Sequence, residues 1–458
     1  MPPEGDGFAR RAGALLRSAA NDLKRDDEHA ERDLGLERGT FRSYTDGQRP
    51  LDWELIRRAA EVWPLNERDL LPAHDDCPRG LAVMREKDSM AGARVLSRAG
   101  RPYYEYRDTA MSRIASYRPE WIRMLQVVGD DEADNPLVQW NRGHLLYQFT
   151  YFVGPVNYYC RWEGRSRCVP METGDSVWGL PFAPHSFAAR TDAEPAYILA
   201  LTYGGGLTGD AQRELAVLGR SAAHALALPV TADPSVTARM IRSFMDAGAL
   251  TATELAGRTG LPQRRTEALV GGAEPAGPDE LALLAFGLGV SVRDLLPPRT
   301  GTDGGVAIQH ARDARRWELP GEDGRPAYLV TRLAGDPLHP HTSALQLDVL
   351  GSDAARPSPL TTYQHQYVYV LGREGVRVRW EFAGEHFEEV LEAGASAYIR
   401  PQVPVTFTAP DGGRPRLLLL RIAGAVTPEV RHALGTMAAG GPDRYIAEDR
   451  LWYSKEGN

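Results

Sequence analysis

Two histidines and a glutamine stand out in the first half of the chain. His144 and Gln148 lie in Asn141-Arg-Gly-His-Leu-Leu-Tyr-Gln148, just ahead of Phe149–Gly154. His185 closes the run Gly174-Asp-Ser-Val-Trp-Gly-Leu-Pro-Phe-Ala-Pro-His185. Imidazole nitrogens and side-chain oxygens can hold a metal ion when they converge. Taken singly, each of the three is better read as a satisfied core polar group. Spacing sets a condition on their meeting. On a fully extended strand, positions 144 and 148 lie about 13 Å apart, too far to share one ion at ~2.1 Å ligand distances. The chain must therefore bend between them, and Gly143 is suited to put His144 at a strand end.

The elements that must position these residues read as β. Short runs rich in Val, Tyr, Phe and Ile recur between glycines and prolines: 148–153, 156–162, 196–203, 367–371, 376–382 and 416–422. Such spacing predicts an antiparallel sandwich or barrel. The chain also repeats itself. Gly35 and Pro72 recur as Gly260 and Pro297, each 225 residues on. Tyr147–Gly154 matches His365–Gly372, and Arg161-Trp-Glu163 matches Arg379-Trp-Glu381, both 218 residues on. Two such offsets predict a tandem duplication. The expected modules are a helical one over 1–75, a β module over 88–225, a second helical one over 238–298, a second β module over 305–425, and a tail from 426, irregular after Gly441. In the second helical module, Thr253-Glu-Leu-Ala-Gly-Arg-Thr-Gly-Leu-Pro-Gln reads as helix, glycine turn, helix.

Composition bounds the function. The 458 residues carry a net charge of −8, and the longest apolar runs are far too short for a membrane span. The N-terminus has no apolar core of a secretory signal, so a cytoplasmic protein is expected. Cys77, Cys160 and Cys168 are too few for a disulfide scaffold and form no C-x-x-C pattern; Cys160 and Cys168 flank a hairpin, could face each other, and are expected as free thiols. Helix-turn-helix modules normally read DNA with a basic face. Here residues 1–74 hold 12 cationic against 15 acidic side chains, and residues 245–297 hold 4 against 7. No nucleic-acid partner is expected.

The order of His144, Gln148, Gly154, then Gly174, Pro181 and His185 resembles the two motifs of a cupin. Three ligands on one side of a metal, with open positions opposite, suit Fe(II) that must bind substrate and dioxygen together. The repeat offers an internal contrast: Gln148 maps to Gln366, but His144 maps to Thr362 and His185 to Val405. The second copy is expected to hold no metal and to act as scaffold. The fold class is therefore α+β and multidomain, two tandem repeats of a helix-turn-helix-like module followed by a cupin (double-stranded β-helix) barrel.

Over essentially its whole length the chain resembles a narrower family, that of 2-hydroxyethylphosphonate dioxygenase and methylphosphonate synthase. The resemblance implies one Fe(II) per chain and O2-dependent cleavage of the carbon–carbon bond of 2-hydroxyethylphosphonate, without 2-oxoglutarate. It implies His144, Gln148 and His185 as metal ligands. It implies Arg98, Tyr106 and Asn141 as phosphonate contacts, with Lys24 lent by the first helical module; Lys24 and Tyr106 also count as catalytic. The dioxygenase carries a Glu at the position of Gly179, whereas the synthase uses a Gln at the position of Gln148. That contrast favours the synthase reaction, giving methylphosphonate and bicarbonate, over the dioxygenase reaction, giving hydroxymethylphosphonate and formate. A serine of the dioxygenase's phosphonate pocket corresponds to Ala200. The other class of reading is a helix-turn-helix–cupin regulator that senses a small molecule. Glu163, Glu172 and Asp175 lie near the motifs without matching a ligand position, and His339-Pro-His341 reads as a loop. A homo-oligomer is possible.

Overall fold

The computed structural model describes residues 4–115, 117–207, 209–228, 233–352, 357–410 and 412–447. The last part of the tail, 448–458, lies outside the described residues. The chain divides into two compact units.

The first unit is helical and comprises residues 4–79 with 112–115 and 423–447. Helices Glu4–Asp22, Asp27–Leu34, Phe41–Thr45 and Trp53–Val62 close around Leu16, Ala20, Leu34, Phe41, Ile56 and Trp63. Asp26 caps the second helix by accepting from the His29 amide, and Gly35 ends it at φ +66°. The tail contains helix Pro428–Gly435, and its expected irregular course after Gly441 is broken by a second helix, Gly441–Ile446. A proline in the first turn of each supplies a preset φ where no amide partner is needed.

The second unit spans 80–111 and 117–422. Its strands are β1 Leu81–Met84, β2 Arg94–Arg98, β3 Arg101–Asp108, β4 Glu120–Met124, β5 Tyr147–Val153, β6 Val156–Trp162, β7 Arg165–Met171, β8 Ser176–Gly179, β9 His185–Ala189 and β10 Tyr197–Tyr203. The second half adds β11 Val306–Gln309, β12 Arg316–Pro320, β13 Pro326–Arg332, β14 Thr342–Val349, β15 His365–Leu371, β16 Val376–Phe382, β17 Glu385–Leu391, β18 Ser396–Ile399, β19 Val405–Thr408 and β20 Arg416–Ile422. The expected runs thus form strands with small shifts at their ends. Between the halves, helices Pro234–Ala247, Ala252–Thr259, Gln263–Gly271 and Pro278–Leu288 pack on Ile241, Leu255, Leu269 and Leu284. The turn at Gly260 takes φ +73°. The stretch after β10 is not β: Asp210–Leu218 and Arg220–Leu226 are helices, so the first β region ends at Tyr203.

Two seven-stranded antiparallel sheets have matching orders, β11-β8-β5-β10-β4-β3-β2 and β1-β18-β15-β20-β14-β13-β12. Each is faced by a three-stranded sheet, β7-β6-β9 and β17-β16-β19. The first core lies between such a pair and joins Ile122, Phe152, Tyr158, Phe187 and Ile198; the second joins Val330, Val368, Val378, Phe407 and Leu419. Alternating side chains meet there, as half-buried strands require. The central strand β15 is buried at every position, which demands a cover on its other face too. The two large sheets supply it to each other: the Tyr151 hydroxyl on β5 donates to Gln346 on β14 at 2.8 Å.

The edge strands are exchanged. β1, from the first half, pairs with β18 of the second; β11, from the second half, pairs with β8 of the first. The segment 305–309, expected to serve the second β module, therefore completes the first. Val306 belongs to the first core and Leu81 to the second. Cys77, Cys160 and Cys168 form no disulfide among the described residues. Cys160 opposes Arg167 and Cys168 opposes Tyr159, so the two thiols do not face each other; a one-residue offset turns them to opposite faces of the hairpin. Among the described residues no helix is long and apolar enough to cross a membrane.

Candidate active site

His144 stands three residues ahead of β5, where the chain is still irregular. The bend that the spacing demanded is made at Gly143, whose φ is +79°. A Cβ there would fall 2.4 Å from the Phe182 carbonyl carbon, so no larger residue fits. The Phe182 amide donates to the His144 carbonyl at 2.7 Å, tying this bend to the loop before β9.

Gln148 lies on β5 opposite Gly179 of β8 and Thr202 of β10. Its amide nitrogen donates to the Thr150 hydroxyl at 2.9 Å. Its carbonyl oxygen is left to face the His144 ring, with which it is in hydrogen-bond reach. His185 opens β9, and its ring centroid is 5.0 Å from that of His144. The Asn141 side-chain oxygen accepts from the amides of Gly143 and His185, both at 2.9 Å. That fixes the amide orientation and sends its NH2 to His185 Nε2 at 2.9 Å. On the other side of the ring, Nδ1 lies 3.0 Å from the Ala183 carbonyl. A carbonyl only accepts, so Nδ1 carries the proton and Nε2 the lone pair.

Electrostatics agree with this tautomer. Burial pushes the His185 imidazole down to about 4, with smaller depressions from His144 and Arg98. Burial also lowers His144. Both rings are thus neutral near pH 7, the state a metal requires.

Arg98 ends β2 and donates to the Gln139 carbonyl at 2.7 Å, with its guanidinium 4.8 Å from the Tyr104 ring centre. Tyr106 on β3 is raised above the ordinary phenol value, chiefly by burial. Arg98, Tyr106, Asn141, His144, Gln148 and His185 line one cavity of about 160 Å³. Lys24 belongs to the helical unit. It sits just after the first helix at φ +58°, and its Nζ donates to the Asp22 carbonyl at 3.2 Å.

The donor set fits a cation of the transition series: two neutral imidazoles and one carboxamide oxygen, each oriented by a neighbour, around a cavity with room for more ligands. The nearby acids are engaged elsewhere. Glu172 pairs with Arg190, and Asp175 accepts from the Ala311 amide at 2.8 Å and lies 3.0 Å from His310. Glu163 sits in the β6–β7 turn at φ +47°. His339 is in a loop, with its ring 4.0 Å from that of Tyr147. In the second copy, Gln366 lies between Ile399 and Arg421, and accepts from the Arg421 guanidinium at 3.0 Å. An arginine thus stands where the first copy has Thr202.

Glu120, on β4, also lines the cavity and did not emerge from the motifs. Its signal was the alternation in Glu120-Trp-Ile-Arg-Met124, which puts Glu120 on the side of Ile122 and Met124.

No family model matches the chain. Methylphosphonate synthase of Nitrosopumilus maritimus is 35% identical over 455 residues, covering 99% of this chain and 98% of that protein. Among solved structures, HEPD of Streptomyces albus, with 2-hydroxyethylphosphonate and Fe(II) bound, is 60% identical over 98% of this chain and 99% of its own, with a TM-score of 0.92. PhpD with cadmium shares the fold at 20% identity and a TM-score of 0.72, over 95% of this chain and 99% of its own.

Proposed function

The chain belongs to the family of methylphosphonate synthase and 2-hydroxyethylphosphonate dioxygenase, and on that footing we propose that it cleaves the carbon–carbon bond of 2-hydroxyethylphosphonate with O2. One Fe(II) per chain, held by His144, Gln148 and His185, would bind and reduce the oxygen. The observation that carries this reading is the convergence of those three groups with Arg98, Tyr106 and Asn141 on one cavity. The architecture is read accordingly as two helix-turn-helix modules and two cupin barrels in tandem, with the first barrel reactive.

The side chains divide the work. Arg98 offers a charged fork and Tyr106 a hydroxyl to the phosphonate oxygens. The Asn141 NH2, held in place through its side-chain oxygen and donating to His185 Nε2 here, would be a further donor to the phosphonate once a metal occupies that Nε2. Ala183 holds the His185 tautomer that leaves Nε2 its lone pair, and Thr150 holds the Gln148 amide; a metal at the site would take that lone pair in place of the Asn141 NH2 from which it accepts here. Ile122 and Phe187 add apolar wall to the cavity, which would limit the escape of reactive species. Lys24 is carried as a further phosphonate ligand on the family resemblance. The substrate supplies all four electrons that O2 needs, so no organic cosubstrate enters.

The product we assign is hydroxymethylphosphonate with formate, because 60% identity to the dioxygenase outweighs 35% identity to the synthase. A second reading, methylphosphonate with bicarbonate, is favoured by one observation: a carboxamide at 148 beside a glycine at 179. Anaerobic loading with Fe(II), addition of 2-hydroxyethylphosphonate and oxygen, and phosphorus NMR of the products test both. The expected result is a hydroxymethyl signal; a methyl signal supports the second reading, and unchanged substrate refutes the activity.

A further inference from the structure

Glu120 is an acid in a cavity built for an anion. Alternation along β4 turns it to the inner face with Ile122 and Met124. Across β4 it opposes Ala200 on one side and Asp108 on the other. The methyl of Ala200 offers no hydrogen bond, so Glu120 is the polar group of that part of the wall. Its nearest cation, Arg94 on β2, is 3.9 Å away and lies closer to Asp108, at 3.0 Å. The other charged or titratable groups around it are Tyr106 and, beyond that, Arg98, the His144 and His185 imidazoles of the same cavity, and Tyr367 and Tyr369 on the side of the second large sheet. An ionised carboxylate here repels a phosphonate dianion in a partly desolvated space. A protonated one donates to it instead.

We propose that Glu120 binds the phosphonate as a neutral carboxylic acid, taking up one proton from solvent as the dianion enters. The proposal rests on the phosphonate substrate argued above. Burial raises the Glu120 carboxyl above its ordinary range, Asp108 adds to this and Arg94 opposes it, so the proton is held more readily than on an exposed glutamate. Substrate affinity then falls as pH rises past the titration of this carboxyl, about tenfold per pH unit for one linked proton.

The test uses the full-length protein loaded with Fe(II) under anaerobic conditions. Titration calorimetry with 2-hydroxyethylphosphonate, between pH 6 and 9 and in two buffers of different ionisation enthalpy, reads affinity and proton uptake together. The expected result for wild type is net uptake on the alkaline side, with a descending affinity limb. Glu120→Gln keeps a neutral donor, so it should retain the affinity measured at low pH and lose both the uptake and the descending limb. Glu120→Ala should weaken binding about tenfold at low pH. A Glu120→Gln variant with wild-type uptake and pH profile overturns the role of Glu120 and leaves the enzyme reading intact. Absence of binding by the wild type overturns the substrate assignment, and this proposal with it.

Discussion

Gln148 and Gly179 are directly opposed across β5 and β8, and opposed residues on an antiparallel pair point to the same face with Cβ atoms about 5 Å apart. A ligand at either position can therefore address the same ion. A Cβ on Gly179 would meet only Val306 at 3.7 Å, so a longer side chain has room. Gln148→Ala should lose most of its bound iron, and Gln148→Ala with Gly179→Glu should regain it; metal analysis after gel filtration decides. At the same scale, burial depresses His365 to about 4, and Nδ1 of its ring lies 2.7 Å from the Tyr398 hydroxyl. Its native value is below the unfolded one, near 6.5. The stability it contributes is complete above that pH and is lost as pH falls from 6.5 toward 4, amounting to about 3 kcal/mol. Denaturant melts at pH 7 and 5 should differ, and His365→Gln should narrow the difference. That His144, Gln148 and His185 come together on one cavity was legible because histidine, glycine and proline types at fixed spacing carry a strong signal. Glu120 was not, since one acidic residue among apolar ones looks the same in sequence whether it faces solvent or a cavity.

At the level of elements, the bend before β5 rests on one glycine. Gly143→Ala forces a Cβ to 2.4 Å from the Phe182 carbonyl carbon at a φ of +79°. The strain must move either the loop before β9 or His144 itself. We expect a loss of a few kcal/mol in stability together with loss of iron, measured by thermal melts and metal content. Most strands were readable from sequence, because runs such as Val156–Trp162 and Arg416–Ile422 alternate or are wholly apolar between turn residues. The helices Asp210–Leu218 and Arg220–Leu226 were missed: neither buries a side chain among those described, so no apolar stripe marked them. The strands β1 and β11 were missed as partners for a different reason. Each has four residues, too short for a period to show, and their pairing is settled by contacts more than a hundred residues away.

On the scale of the whole molecule, the offsets foreshadowed two sheets of matching strand order, but not the manner in which the two halves are joined. β11 closes the sheet that carries Gln148 and Gly179, and Val306 fills the same core as Phe152 and Ile198. A chain ending at residue 300 should therefore expose the edge of β8 and aggregate; joint expression with the remainder, 301–458, should restore soluble protein and iron binding. Solubility and metal content of each piece, alone and together, check this. Reciprocal lending of β1 and β11 also bears on how such a gene can change. A half without the His144–Gln148–His185 set would ordinarily drift or be deleted, yet here its first strand completes a sheet of the half that carries that set, and the reverse holds as well. Deletion of either copy is thereby closed as an evolutionary route, and selection for turnover in one half guards the sequence of the other.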